Sequence, residues 1–336
     1  MRVLKPVERT PNRTHQRPVR PRTVARWRRA PGLVLLVMML LGANAPAGAA
    51  PEQGNADSVY WRISTERGLA GYLLGTIHSE DARVVDFPES LVKQLTSCEV
   101  FAMEMVPDLP TLSRLTDYMH HAETGVLEDQ LGAERYARVM QALSGYQVPD
   151  PWKARMKAWA VLLTLSVPPP QTGFFMDLSL SLRAAGSGMR VTGLETLDEQ
   201  LSFLENMPLD FQIRLLDQAL AEYHDVGEIH RMMVDAYLTG SLERLESLSD
   251  QQFEQLEEPV RAYFTTQGID ARNQRMMENL DPLLGESRVF VAVGALHLPG
   301  EQGLIALLRA AGYRLDALPS PFVAESPAPV TAAGGG

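Results

Sequence analysis

Two short runs in this chain place a histidine three residues after a glycine: Gly75-Thr76-Ile77-His78 and Gly294-Ala295-Leu296-His297. Each follows a strand-like apolar stretch, Gly71-Tyr72-Leu73-Leu74 in the first case and Val289-Phe290-Val291-Ala292-Val293 in the second. Neutral imidazole is a common ligand for divalent metal ions and a ready general base near neutral pH. In α/β proteins the ends of strands, where the chain passes into a loop and then a helix, are where ligands bind and chemistry occurs. Gly75 and Gly294 are expected to let the backbone turn sharply and approach a ligand without a Cβ in the way. Two such ends, more than two hundred residues apart, converge only if both strands lie in one sheet.

A carboxylate is expected between them. Glu104 closes the apolar run Val100-Phe101-Ala102-Met103-Glu104-Met105, where burying a charge is costly unless it is paired or bound to metal. His78, Glu104 and His297 are therefore the candidate metal ligands, since two His and one carboxylate leave open positions on an ion, as hydrolytic zinc and non-haem iron sites do. The alternative is an ion pair between Glu104 and an arginine. Glu195 follows a third strand, ahead of Thr196 and Glu199, which form a capping box without it. It is the candidate general base or a carboxylate supporting the ligands. Arg272 is the candidate for steadying an oxyanion or a ligand, with Asn273 beside it. Asp177, after Gly173, starts a helix, where an N-cap or helix-dipole role competes with a place in the site.

Other histidines carry less. His120 and His121 are adjacent, so on a helix they point in different directions, and His224 and His230 are six apart, which matches neither one helical turn nor two. His-Glu-x-x-His, Gly-x-Ser-x-Gly, a Walker loop and Gly-x-Gly-x-x-Gly are all absent from the sequence.

The elements that must position these residues can be read from periodicity and punctuation. Strands are predicted at 59–63, 72–74, 100–105, 190–192, 289–293 and 314–317. Helices are predicted at 88–96, 109–121, 132–143, 152–165, 176–185, 197–206, 210–237, 242–247, 259–279 and 303–311. The resulting fold is α/β, with a central sheet formed by the N- and C-terminal parts of the chain and large helical insertions between them. The last segment, strand, Gly-x-x-His, helix, Gly312 and strand, reads as a βαβ unit.

Residues 1–49 read as a signal peptide with an extended basic head. Ten of the 31 Lys and Arg lie in the first thirty residues, with Glu8 the only acid there. A ten-residue apolar run from Gly32 to Leu41 and a small-residue stretch ending at Ala50 follow. That run is shorter than the roughly 20 residues a membrane span needs, so no stable span is expected after cleavage, with an uncleaved anchor as the alternative. The rest of the chain holds 21 basic against 40 acidic side chains, a net charge near −19. Such a surface repels phosphate backbones, so nucleic acid is not an expected partner. Cys98 is the only cysteine, which excludes an internal disulfide, and it reads as a buried small hydrophobe. Residues 50–318 form the expected α/β domain, and 319–336, rich in Pro, Ala and Gly, a disordered tail.

The ordered set Leu74-Gly75-Thr76-Ile77-His78, Phe101-Ala102-Met103-Glu104-Met105, Gly193-Leu194-Glu195-Thr196 with Glu199-Gln200, Tyr237 to Gly240, Arg272-Asn273 and Val291 to Gly300 resembles the TraB/GumN family, which includes Tiki-type membrane-tethered proteases. The resemblance runs from about Trp61 to about Leu318 and implies an α/β fold with a cluster holding both histidines and Glu104. The Tiki branch implies metal-dependent peptidase activity, with manganese or cobalt as the ion rather than zinc. TraB itself implies inhibition of a peptide pheromone, so the family label does not select a substrate.

The expectation is an exported, periplasmic or secreted, metal-dependent hydrolase acting on peptide or protein substrates. The alternatives are a periplasmic peptide-binding or sequestering protein that cleaves nothing, and a metal-free hydrolase using one His as general base.

Overall fold

The computed structural model of the protein describes residues 57–253 and 256–322. The expected signal peptide and residues 323–336 of the expected tail lie outside them. Among the described residues no helix is long and apolar enough to cross a membrane.

Six strands form one mixed sheet: β1 (Tyr60–Thr65), β2 (Gly68–Thr76), β3 (Val100–Met103), β4 (Arg190–Gly193), β5 (Val289–Gly294) and β6 (Arg314–Leu318). Their order across the sheet is β4-β3-β5-β2-β1-β6. β4, β3, β5 and β2 run parallel, while β1 is antiparallel to both β2 and β6. The sheet is therefore drawn from the two ends of the chain plus β4, which lies between the two helical blocks. β5 and β6 point the same way but have β2 and β1 between them, so the closing βαβ unit spans two intervening strands.

β5 takes the centre because it can be buried on both faces: all six of its residues are inaccessible, as are all four of β3. Uninterrupted apolar runs of this kind are the signature of parallel strands covered on both sides. Phe101, Phe290, Tyr72 and Tyr60 form an aromatic row across β3, β5, β2 and β1, with ring centroids 6.0–6.2 Å apart between successive members. Same-face contacts of this kind hold neighbouring strands in register.

β2 is three times the length that the apolar run 72–74 predicts. Gly68, Gly71 and Gly75 disguise it, since glycine is depleted in strands. At Gly71 the reason for glycine is steric: a Cβ would lie 1.9 Å from the Val289 carbonyl oxygen. The close approach of β2 to β5 leaves no room for a side chain.

The predicted helices at 152–165, 210–237 and 259–279 are each interrupted. The first is Asp150–Lys153 and Ala158–Leu165, and the second Leu209–Glu222 and Val226–Tyr237. The third is Glu258–Tyr263, a π-helical turn over Phe264–Asp270, and Ala271–Glu286 with Pro282 inside it. A π turn widens the helix and shifts the register of the turns beyond it, and such turns collect at functional sites. Here it ends at Asp270, two residues before Arg272 and Asn273, both of which are buried.

The packed chain continues past Pro319. Phe322 lies against Tyr237 with ring centroids 5.7 Å apart, and Ser320 is buried beside Gly240.

Candidate functional site

The strand register lines up Thr76, Gly294 and the residues following Met103 and Gly193 along one edge of the sheet. The ladder runs on beyond β4, with the Leu194 N–H donating to the Met103 carbonyl and the Glu195 N–H to the Glu104 carbonyl. His78, Glu104, Glu195 and His297 thus leave the sheet at the C-terminal ends of four adjacent parallel strands, where an α/β sheet presents its ligands.

Glu104 and Glu195 share one buried guanidinium. Arg272 donates through Nε and Nη2 to Glu195 at 2.5–3.1 Å and through Nη2 to Glu104 Oε2 at 2.7 Å. Glu104 also accepts from Gln200 Nε2 at 3.1 Å and, on Oε1, from the Gly294 N–H at 2.8 Å. Local sequence explains the placement. Thr196 and Glu199 close a capping box that starts the helix Leu197–Glu205 directly after β4, which carries Gln200 to Glu104. Asn279, on the helix that carries Arg272, donates to the Leu194 carbonyl at 2.9 Å and ties that helix to the end of β4.

Burial pushes Glu104 up to about 7; Arg272 opposes that shift, and the negative charge of Glu195 adds to it. Burial alone would lower the Arg272 pKa, but the two carboxylates hold it above its ordinary value. The ion pair between Glu104 and an arginine, the alternative to a ligand role for Glu104, is therefore present. Arg272 points at Glu104 as well as Glu195, the arrangement of a residue that steadies a ligand. The Glu195 side chain has no exposure to solvent, which suits a supporting carboxylate better than a proton acceptor for water.

His297 is inaccessible, and its Nδ1 lies 2.5 Å from Asn273 Oδ1. Asn273 donates its Nδ2 to the Gln302 carbonyl at 2.8 Å, so its oxygen faces the imidazole and His297 carries its proton on Nδ1. The Nε2 lone pair is left bare. It is buried without a hydrogen-bond partner among the described residues, 3.8 Å from Glu104 Oε1. Burial, reinforced by the charge of Arg272, holds the His297 pKa well below 6.5. Because the folded state disfavours the protonated ring, the stability it contributes is present above pH 6.5 and declines as pH falls. Long-range nitrogen–proton NMR correlation should accordingly find His297 neutral and protonated on Nδ1 from pH 8 down to pH 6. An imidazolium signal at pH 6, or the opposite tautomer, would overturn this assignment.

The second histidine has other company. His78 is partly exposed, its ring stacks on Phe175 with centroids 4.1 Å apart, and its Nδ1 lies 3.7 Å from Asp177 Oδ2. Asp177 is not an N-cap. It sits in the first turn of the helix Met176–Gly186, whose N-cap position is Phe175, and its Oδ1 accepts from the Thr76 hydroxyl at 2.5 Å. Its Oδ2 is buried with no hydrogen-bond partner among the described residues. A small cleft, partly open to solvent, lies beside His78, with Thr76, Met233, Tyr237, Leu245 and Leu296 in its wall. Tyr237 donates its hydroxyl to the Gly75 carbonyl at 2.8 Å, and burial pushes its phenol well above the ordinary range.

The glycines serve differently from the expectation. Neither Gly75 nor Gly294 has a positive φ; Gly75 is the penultimate residue of β2 and Gly294 the last of β5, so both lie in extended strands rather than turns. Gly75 is needed because a Cβ there would meet Ala295 Cα at 2.8 Å. Gly294 contributes its N–H to Glu104.

Glu104, His297, Arg272, Glu195 and Asn273 are thus brought into one buried cluster, while His78 pairs with Asp177 at its rim. Among the described residues no three His, Cys, Asp or Glu side chains are gathered closely enough to enclose an ion. The donor chemistry of the inner pair does fit one, since a fixed neutral imidazole nitrogen and a carboxylate oxygen stand side by side and the nitrogen is unpartnered. Sequence reasoning passed over Phe175, Gln302 and Glu80. An aromatic two residues before Asp177 was the available signal for Phe175; the other two make contacts that no local pattern marks.

Residues 59–317 match the model of the TraB/PrgY/gumN family. The metalloprotease TIKI1 of Danio rerio is 24% identical over 323 residues, covering 80% of this chain and 64% of the relative. TIKI1 of Homo sapiens shows the same identity and coverage. The uncharacterized protein YbaP of Escherichia coli K12 is 23% identical over 243 residues, covering 71% of this chain and 87% of that one. The chain thus spans less than two thirds of the length of these two TIKI1 relatives. No solved structure matches the chain.

Proposed function

The chain belongs to the TraB/PrgY/gumN family, and from that premise we propose that it is an exported, metal-dependent hydrolase of peptide bonds. The observation that carries the reading is the bare, buried Nε2 of His297, fixed by Asn273 and set beside Glu104. Metal-binding histidines characteristically give their other ring nitrogen to such an oxygen partner. Relatives named as metalloproteases, at 24% identity, support the same class.

In this reading His297 and Glu104 hold a divalent ion, manganese or cobalt rather than zinc, and His78 supplies the third protein ligand from the end of β2. Such an ion supplies a water whose pKa is lowered toward neutrality. Asn273 keeps the His297 lone pair available. Arg272, Gln200 and the Gly294 N–H hold Glu104 in one orientation, and Glu195 balances the charge of Arg272. Asp177 orients His78.

One observation favours the peptide-binding alternative: His78 faces a cleft while Glu104 and His297 are enclosed, so the three do not line one open surface. Incubating the purified protein with a mixed peptide library, with manganese, cobalt or zinc and with chelator, separates the readings. Cleavage that requires an ion and stops on chelation is the expected result. Peptide binding without cleavage would overturn the hydrolase, and cleavage that survives chelation would replace it with a metal-free one.

A further inference from the structure

The segment 171–176 crosses directly over the residues that follow β2, and every residue from Thr76 to Glu80 except Ile77 is tied to it or to the helix it begins. The Glu80 carboxylate accepts from three successive backbone N–H groups, those of Gln171, Thr172 and Gly173, and from the Thr172 hydroxyl, at 2.5–3.0 Å. Consecutive N–H groups converging in this way form a nest for an anion. Here the anion is the chain's own, and Gly173, at φ 75°, allows the curve. Farther along, the Met176 N–H donates to the carbonyl of Ser79, which is fully buried. Phe175 lies flat on His78 with an interplanar angle of 14°, and Asp177 takes the Thr76 hydroxyl.

His78 therefore does not set its own orientation. One face of its ring is covered by Phe175, and Nδ1 is turned toward Asp177; both arrive on a strap whose upstream end is anchored at Glu80. The three prolines before it, Pro168 to Pro170, and the helix after it lead the chain in and out, yet the bonds between this stretch and residues 76–80 are the ones that fix its height over His78.

We propose that Glu80 is a positioning residue: by holding residues 171–173 it sets Phe175 and Asp177 against His78 and so fixes the imidazole at the rim of the site. The effect on turnover rests on the hydrolase reading above; the effect on His78 does not.

The test uses the full chain and the variants Glu80→Ala and Glu80→Gln, with Phe175→Ala as the unstacked reference. Stacking on Phe175 shifts the His78 ring-proton NMR signals upfield in the wild type. Glu80→Ala should move them to the positions seen in Phe175→Ala, and the amides of Thr172 and Gly173 should exchange at least about tenfold faster while those of β3 and β5 stay protected. Glu80→Gln, which keeps one acceptor oxygen, should fall between, and it carries the test if Glu80→Ala fails to fold. Where the wild type turns over peptide, Glu80→Ala should lower kcat by about 10- to 100-fold with KM nearly unchanged. Unshifted His78 signals in both Glu80 variants would overturn the proposal, as would a released strap with full kcat. A wild type that cleaves nothing, with the His78 signals still moving as expected, would remove the hydrolase reading and leave the positioning role standing.

Discussion

Replacing Arg272 with Leu should destabilise the fold by about 3–5 kcal/mol at pH 8, the cost of leaving buried charges without their partner. The guanidinium is inaccessible and is the shared donor to two carboxylates that are themselves enclosed. Leucine fills part of the space but accepts neither charge. The loss should shrink on acidification. Without Arg272 the buried Glu104 carboxyl is held still further above its unfolded pKa, so the stability it contributes is present below about pH 4.5 and is lost as pH rises through the folded value. Glu104 already stands at about 7 with Arg272 in place. Urea unfolding at pH 8 and pH 5.5 checks both parts. A loss under about 1 kcal/mol, or one that is the same at both pH values, would mean that the cluster tolerates the vacancy by rearranging.

His297→Ala should abolish ion-dependent hydrolysis while leaving the sheet folded, and His78→Ala should do the same. The two differ in what else they disturb. His297 is enclosed, so truncation leaves a cavity and frees the Asn273 oxygen, whereas His78 sits at a rim where the alanine variant loses mainly its stack on Phe175. Asn273→Ala separates tautomer control from ligation. It leaves both histidines in place, removes the partner of Nδ1, and should cost about 10- to 100-fold in metal affinity or activity. Measuring each variant's thermal midpoint beside its turnover distinguishes lost chemistry from lost fold. Full turnover in His78→Ala would remove that residue from the mechanism.

Much of this arrangement is legible in the sequence because it follows the strand ends. All six strands fall where apolar runs predict them, and the register of four parallel strands then brings the regions of His78, Glu104, Glu195 and His297 to one edge. Glu104 betrays itself as an acid closing an apolar run. Gly75 is legible as important but not in its role, since its steric contact with Ala295 depends on a neighbour more than two hundred residues away. Helix breaks at residues 154–157 and 223–225 escape periodicity because apolar residues continue through or around them. The Glu80 anchor is invisible for another reason: its partners are backbone N–H groups, which every residue but proline carries. Periodicity tells which strand end bears a side chain, and not which way the side chain turns; His78 turning to Asp177 while His297 turns to Asn273 is decided by packing.

The most direct measurement of the central claim is elemental analysis of the purified protein after equal exposure to manganese, cobalt and zinc, alongside the His78→Ala/His297→Ala double variant. The account predicts close to one ion per chain in the wild type and its loss in the variant. A wild type that retains no more metal than the variant would contradict it.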